Sequence, residues 1–427
     1  MRIALLILFS VLFSKHSAAT ECTTDRYKDK IFDHLIVHNN VQYGSNINNL
    51  NKEQELYMDV FMSPLGGDTL KKRPVVLLFH GGAFVSGSKN SSTLRYIASE
   101  LALRGYVAIP VQYRLEQSDI GTDIAVINFA NRMSWYKTIV RSAHDIKGAI
   151  RYLKYTVAEE NNPYGIDTNN ITLYGSSAGA IGVLHAAYLD DTDELSSSWQ
   201  RVIDQLGGFE GNTSTHLQYG SMNTVRNLII DSGALFEADW IGDKNDIDVL
   251  SLHHNQDPTV PFSTGCFYVV ACHLGRHHGA KKYVPILQEN GTRVVQHIID
   301  GIGHPVDDLN PNYALEKTID FLYESQCKYV PPIEDDDNLP TMIANSNIKE
   351  LQLFPNPNNG TFTITTQEDY TEGRIKLFTT SGQQIFETPL IDQNQNIHID
   401  NIPNGIYLLN IYDGNNIKSF SKIAINR

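Results

Sequence analysis

Between Gln54 and Leu322 the chain alternates two hydrophobic rhythms. "RPVVLLFHGG" is a continuous apolar run of strand length. "SSTLRYIASELALRG" spaces its apolar residues for one face of a helix, and "YVAIPVQYRL" returns to the strand pattern. "TIVRSAHDIKGAIRYLKYTVAEE" predicts a long helix. "NITLYGSSAGAIGVLHAAYL" predicts a strand that turns sharply into a helix, and "VRNLIIDSGAL", "IDVLSLHH" and "TRVVQHIIDG" predict later strands. Unbroken apolar strands alternating with amphipathic helices specify an α/β fold with an open, mostly parallel sheet covered on both faces. In such sheets the working groups sit beyond the carboxyl ends of the strands.

The rhythm stops near Lys328. "KYVPPIEDDDNLPTMIANSN" combines prolines with an acidic run, so residues 328–345 read as a linker. Beyond it, "GTFTITT", "RIKLFTT" and "GIYLLNIYDG" alternate with Asn, Gly and Pro turns. Residues 346–427 are therefore expected to form a small antiparallel β-sandwich. At the other end, residues 1–20 place Arg2 before an apolar run from Ile3 to Phe13 and small residues at Ser17–Ala19. That run is too short to span a bilayer and has the form of a secretory signal peptide, which leaves 21–327 as the large domain.

The 427 residues suit a large domain plus a module, and 41% hydrophobic content allows a sizeable core. The formal charge of −14 argues against nucleic acid or anionic lipid as partner. Export changes how the four cysteines read, because oxidising compartments favour disulfides. Three pairings are open, and Cys266 with Cys272 and Cys22 with Cys327 are the favoured two. Cys272, His273, His277 and His278 match no standard zinc spacing, so no metal is expected.

Gly175, Ser177 and Gly179 form G-x-S-x-G where the strand turns into the helix, the arrangement that exposes a nucleophilic serine. Ser177 is the expected nucleophile, and the role of Ser176 stays open. Acyl chemistry on serine also needs donors for a developing oxyanion. "HGGAF" at residues 80–84 offers the Gly81 and Gly82 amides, with Ala83 as a further candidate, and Ala178 follows the nucleophile. The remaining partners are expected in the order serine, acid, histidine. Asp257 in "NQDPTVPF" and His304 in "GIGHPV" each occupy a loop after a strand and satisfy that order. Asp231 ends an earlier strand, Asp300 lies too near His304, and His253, His254 and His297 read as packing, loop or surface residues.

With these residues placed, the large domain resembles the α/β-hydrolase superfamily over residues 41–323. It is most similar to carboxylesterases of the hormone-sensitive-lipase and type-B-like branches, which carry HGG and GxSAG motifs. The resemblance implies a Ser177, His304, Asp257 triad, an oxyanion hole of the Gly81, Gly82 and Ala178 amides, and hydrolysis of an ester without cofactor. "HHNQD" departs from the His-Gly-Thr approach to the acid that relatives often show. "LFPNPNNGTFTI", "RIKLFTTSGQQIF" and "IPNGIYLLNIYDG" with a final "NR" resemble the C-terminal sorting domain of type IX secretion substrates in Bacteroidetes. That resemblance implies the secretion machinery as partner and a route through periplasm and outer membrane to the surface or medium. A carbohydrate-binding module is the alternative for this segment.

A monomer acting on acetyl or feruloyl esters of polysaccharides, or on polyesters, is the expected whole. A serine peptidase of the same fold and a noncatalytic surface adhesion protein are the alternatives. Residues 114–138 and 190–224 are long connections that either wall the cleft or lie in solvent. Phe84, Trp135, Phe236 and Trp240 either form an acyl pocket or pack the core.

Overall fold

The computed structural model describes residues 26–328 apart from 66, 69, 117–131, 191–194, 215 and 245. It also describes residues 349–426 apart from 351, 357, 367–372, 380–383, 400, 401, 404, 414 and 415. The chain divides into two compact units between residues 329 and 330. The expected signal peptide, Cys22 and residues 329–345 of the expected linker lie outside the described residues.

In the large unit, eight strands form one sheet: β1 (Ile36–Ile47), β2 (Glu53–Met62), β3 (Arg73–Phe79), β4 (Val107–Val111), β5 (Ile166–Ser176), β6 (Val225–Asp231), β7 (Asp248–His254) and β8 (Val294–Ile299). Their order across the sheet is β1-β2-β4-β3-β5-β6-β7-β8. β1 and β2 run antiparallel to their neighbours, and all pairs from β4 to β8 are parallel. Every residue of β3 and β4 is buried, as expected for strands covered on both faces. Two apolar cores follow. One contains Leu77, Ile139, Ile146, Ile181 and Leu184, the other Val76, Leu78, Ile97, Leu101 and Leu322.

The covering helices include α1 (Ser92–Ala102), α2 (Arg132–Glu159), α3 (Ala178–Tyr188), α4 (Ser197–Leu206), α5 (Ala280–Glu289), the one-turn α6 (Val306–Leu309) and α7 (Pro311–Tyr323). Ser91 caps α1, Ser196 caps α4 and Asn310 caps α7, each accepting from the amide three residues on. A buried ion pair ties the exit of β4 to α2: Arg114 Nη2 lies 2.7 Å from Asp145 Oδ1. The same carboxylate accepts the Arg114 amide and the Thr213 hydroxyl, so its oxygens are well satisfied in the interior.

The small unit is the expected β-sandwich. Its five-stranded sheet is Lys349–Glu350, Asn416–Ile425, Gly405–Asp413, Gly373–Thr379 and Gln384–Pro389. Its three-stranded sheet is Gln352–Phe354, Thr361–Thr365 and Asn394–His398. Among the described residues the strand pairings are antiparallel except Lys349–Glu350 against Ser419 and Phe420, and Asn358 makes an isolated parallel bridge to Ile425. Alternate residues of both sheets, among them Phe362, Ile364, Ile375, Leu377, Ile397 and Ile411, make one core.

Candidate active site

Ser177 stands between the end of β5 and the start of α3 with φ 52° and ψ −114°, a costly backbone conformation for a residue with a side chain. The turn is held because strand and helix approach without side chains between them. A Cβ on Gly179 would lie 2.2 Å from the Phe79 carbonyl oxygen, and one on Gly175 would lie 2.5 Å from Ala180 Cα. The Ser177 amide donates to the Asp231 carbonyl at 2.8 Å. Ala178 opens α3, so its N–H has no acceptor within the helix and sits at the positive end of the helix dipole.

Ser177 Oγ lies 2.6 Å from His304 Nε2, and His304 Nδ1 lies 2.7 Å from Asp257 Oδ2. Burial alone would raise the Asp257 pKa, but hydrogen bonds from His253 and His304 outweigh it and hold the carboxyl down at about 2. The carboxylate therefore accepts from Nδ1–H, which leaves Nε2 free to take the serine proton. The other oxygen, Oδ1, accepts the Thr259 and Val260 amides at 2.8 and 2.9 Å, which fixes the carboxylate plane.

The HGGAF turn follows β3 and lies against the serine: a Cβ on Gly81 would sit 3.1 Å from Ser177 Cβ. Gly82 has φ 111° and its carbonyl accepts the Val85 and Ser86 amides, while Ala83 and Phe84 continue with positive φ. His80 braces the turn by donating from Nδ1 to the Gly81 carbonyl at 2.7 Å and stacking on Tyr113 at 4.4 Å. Burial pushes the His80 pKa down to about 4, so the ring stays neutral.

A cavity of about 350 Å³ opens beside Ser177, lined by Phe84, Trp135, Ile181, Phe267, Val270 and Leu274 among others. Phe84 and Trp135 meet edge to face at 5.5 Å, and Trp135 meets Phe267 at 5.0 Å. Trp135 Nε1 donates to His277 Nε2 at 2.9 Å. Cys266 and Cys272 are disulfide-bonded and close the loop that supplies Phe267, Tyr268, Val270 and Ala271 to the cavity wall. Cys327 is also disulfide-bonded; Cys22, its expected partner, lies outside the described residues.

Of the four aromatic candidates, Phe84 and Trp135 line the cavity. Phe236 and Trp240 instead pack with Trp199 in the core. Among the described residues, 190–224 contributes nothing to the lining and 114–138 contributes only Trp135. Much of the wall comes from Thr259–Leu274, a segment the sequence did not single out as a cleft wall. Asp300 accepts from Asn255, and His297 meets the Tyr313 hydroxyl. Asp231 accepts the Val306 and Asp307 amides.

His253 is buried and packs on Phe262, and it also reaches the acid: its Nε2 lies 3.2 Å from the Val260 carbonyl and 3.4 Å from Asp257 Oδ2. The four-residue spacing of His253 and Asp257 across a strand-end turn was the available signal.

Comparison with known proteins agrees with this architecture in three segments. Residues 352–426 match the secretion system C-terminal sorting domain, 20–117 the carboxylesterase family and 117–235 the BD-FAE family. Carboxylesterase 3B of Mus musculus is 29% identical over 137 residues, covering 32% of this chain and 20% of that protein. Gut esterase 1 of Caenorhabditis briggsae is 28% identical over 144 residues, covering 33% and 22%. The chain thus spans about a fifth of the length of these curated relatives. Among solved structures, a truncated carbohydrate esterase from gut microbiota aligns with 16% identity and a TM-score of 0.46, covering 70% of this chain and 98% of that one. The apo form of Thermogutta terrifontis esterase 2 aligns with 17% identity and a TM-score of 0.42, covering 69% and 94%. The sorting domain marks the chain for secretion to the cell surface or beyond. The chain joins an α/β-hydrolase domain of the carboxylesterase and BD-FAE kind to a secretion system C-terminal sorting domain.

Proposed function

We propose that this protein is a secreted serine carboxylic-ester hydrolase in which Ser177 is the nucleophile, His304 the general base and acid, and Asp257 the residue that orients and stabilises the imidazole. The observation that carries the reading is the relay from Ser177 Oγ to His304 Nε2 at 2.6 Å and from His304 Nδ1 to Asp257 Oδ2 at 2.7 Å. His304 takes the hydroxyl proton as Ser177 attacks the ester carbonyl. The amides of Gly81, Gly82 and Ala178 take the oxyanion. Each such donor is worth roughly 3–4 kcal/mol of barrier in a comparable hydrolase. His304 returns the proton to the leaving alcohol, and water then releases the acid by the same steps in reverse.

The cavity beside Ser177 supports an acyl group with an apolar body as the recognised part of the substrate. Its volume of about 350 Å³ lies at the small end of ligand pockets. Acetyl and feruloyl groups on polysaccharides, and the acyl units of polyesters, fit this reading because the sorting domain sends the chain to where such polymers are found. The test is hydrolysis of p-nitrophenyl esters by wild type and Ser177→Ala, followed by acetylated xylan, feruloylated oligosaccharides and polyester films. Equal rates for the two proteins on p-nitrophenyl esters would reject the reading. A wild type that binds polysaccharide but cleaves no ester would mark an adhesion protein, and cleavage of peptides alone would mark a peptidase.

A further inference from the structure

Three loops carry the relay, and each needs something to hold it at hydrogen-bond distance from the next. The acid loop is tied to the histidine loop through Asn255, whose side-chain oxygen accepts the Gly301 amide at 2.9 Å, and through the Gln256 amide, which donates to the Gly301 carbonyl. The histidine loop itself is thinly packed on its upstream side, where Ile302 is 76% exposed. One tie to the nucleophile runs through Asp231 at the end of β6. The Asp231 carbonyl accepts the Ser177 amide at 2.8 Å. The Asp231 carboxylate accepts the Val306 amide at 3.0 Å and the Asp307 amide at 2.7 Å, two and three residues after His304.

Beneath this bracket lies a second tier. The Asp307 carboxylate accepts the Ser176 hydroxyl at 2.8 Å and the Tyr174 hydroxyl at 3.1 Å, both from β5. Ser176 pairs directly with Asp231 in the β5–β6 register, so adjacent strand ends grip the segment after the histidine from two sides. Both carboxyls are fully buried. Burial, with Asp307 as neighbour, raises the Asp231 pKa, and burial raises that of Asp307.

We infer that Asp231 is a positioning residue that sets the distance between Ser177 and His304, with its main chain on the nucleophile and its side chain on the base, and that Ser176 and Tyr174 support it through Asp307. The inference rests on the esterase reading for its kinetic consequence. A side chain of this length that accepts two backbone amides on two oxygens must be a carboxyl, since an amide would set N–H against N–H. Displacing a reacting group by an ångström costs on the order of a hundredfold in rate.

The test compares Asp231→Asn and Asp307→Asn with wild type on p-nitrophenyl acetate, with Ser177→Ala as blank and proton NMR of the His304 Nδ1 proton as a readout independent of substrate. Asp231→Asn is expected to lower kcat at least about tenfold with KM within about twofold, and to broaden or remove the low-field Nδ1 resonance. Asp307→Asn keeps an oxygen for Ser176 but loses the one that accepts from Tyr174, and is expected to lower kcat at constant KM, by less than Asp231→Asn does. A folded Asp231→Asn with wild-type kcat, or one in which KM rises as kcat falls, overturns the inference. If Asp231→Asn does not fold, Ser176→Ala with Tyr174→Phe decides. A fall in kcat of about threefold or more at constant KM supports the bracket, and no change overturns it. If wild type and Ser177→Ala hydrolyse esters equally, the esterase reading fails, and the NMR arm still judges the bracket. An unchanged Nδ1 resonance in the Asp231 variant, or in the Ser176 and Tyr174 pair where that variant does not fold, would then overturn it.

Discussion

Ser177 Oγ and His304 Nε2 lie 2.6 Å apart although 127 residues separate them in the chain. That contact depends on an ionised Asp257 holding the opposite ring nitrogen. Asp257→Asn can present its amide to Nδ1 and force the proton to Nε2, which then cannot accept from the serine. Steady-state kinetics should show kcat reduced about a thousandfold or more with little change in KM, the order of loss seen when a triad acid becomes an amide. A variant with near-normal kcat would assign the acid elsewhere.

His253 stands 3.4 Å from the same carboxylate and helps hold its pKa down at about 2. An acid whose folded pKa is lowered contributes stability above its ordinary value near 4 and loses it as pH falls toward the folded value. His253→Phe removes one donor, so the Asp257 pKa rises toward its ordinary value and the stability lost below about pH 4 becomes smaller. Acid titrations of the melting temperature should show a shallower fall below about pH 4 for the variant than for wild type. Coincident curves would show that His253 only packs.

His80 and His185 are buried and held neutral, both with pKa values pushed down to about 4 by burial. A base with a lowered folded pKa costs stability as pH falls from its ordinary value near 6.5 to that lower value. His185 uses both nitrogens, one toward the Ile181 carbonyl and one accepting the Phe236 amide, so protonation also breaks a buried contact. Differential scanning calorimetry should find a melting temperature lower at pH 4 than at pH 6.5 by at least about 5 °C. A flat profile would contradict neutral, buried rings.

Ala271 lines the cavity on the disulfide-closed loop. Ala271→Trp fills space that a large acyl group would occupy. The ratio of kcat/KM for benzoate over acetate esters should fall about tenfold, with acetate hydrolysis within about threefold of wild type. Equal losses on both esters would place the acyl group outside this cavity.

The bond between Cys266 and Cys272 shapes the same wall. Opening it with reductant, or in Cys266→Ser with Cys272→Ser, frees a loop whose Tyr268, Val269 and Val270 are solvent-exposed. KM for benzoate esters should rise at least about threefold while that for acetate changes less, measured with and without reductant. Unchanged selectivity would make the disulfide a matter of stability alone.

Much of this protein was legible from the chain. The apolar runs of β3 and β4 announced a sheet buried on both faces because hydrophobic patterning is local and repeats along an element. The tight turn at Ser177 was legible because only glycines at 175 and 179 permit strand and helix to approach so closely. Asp257 and His304 could be nominated from their places after strands, since chain order restricts which loops lie side by side. Contacts across the sheet end left no such trace. That Phe84 and Trp135 face the cavity while Phe236 and Trp240 pack inward depends on where helices and loops cross, and all four are equally apolar. That Asp231 grips the backbone after His304, and that Ser176 supports it through Asp307, depends on adjacent strands ending level. Local sequence determined the elements and their punctuation; tertiary structure decided the partners, because a buried polar group is satisfied by whichever donor the fold brings to it.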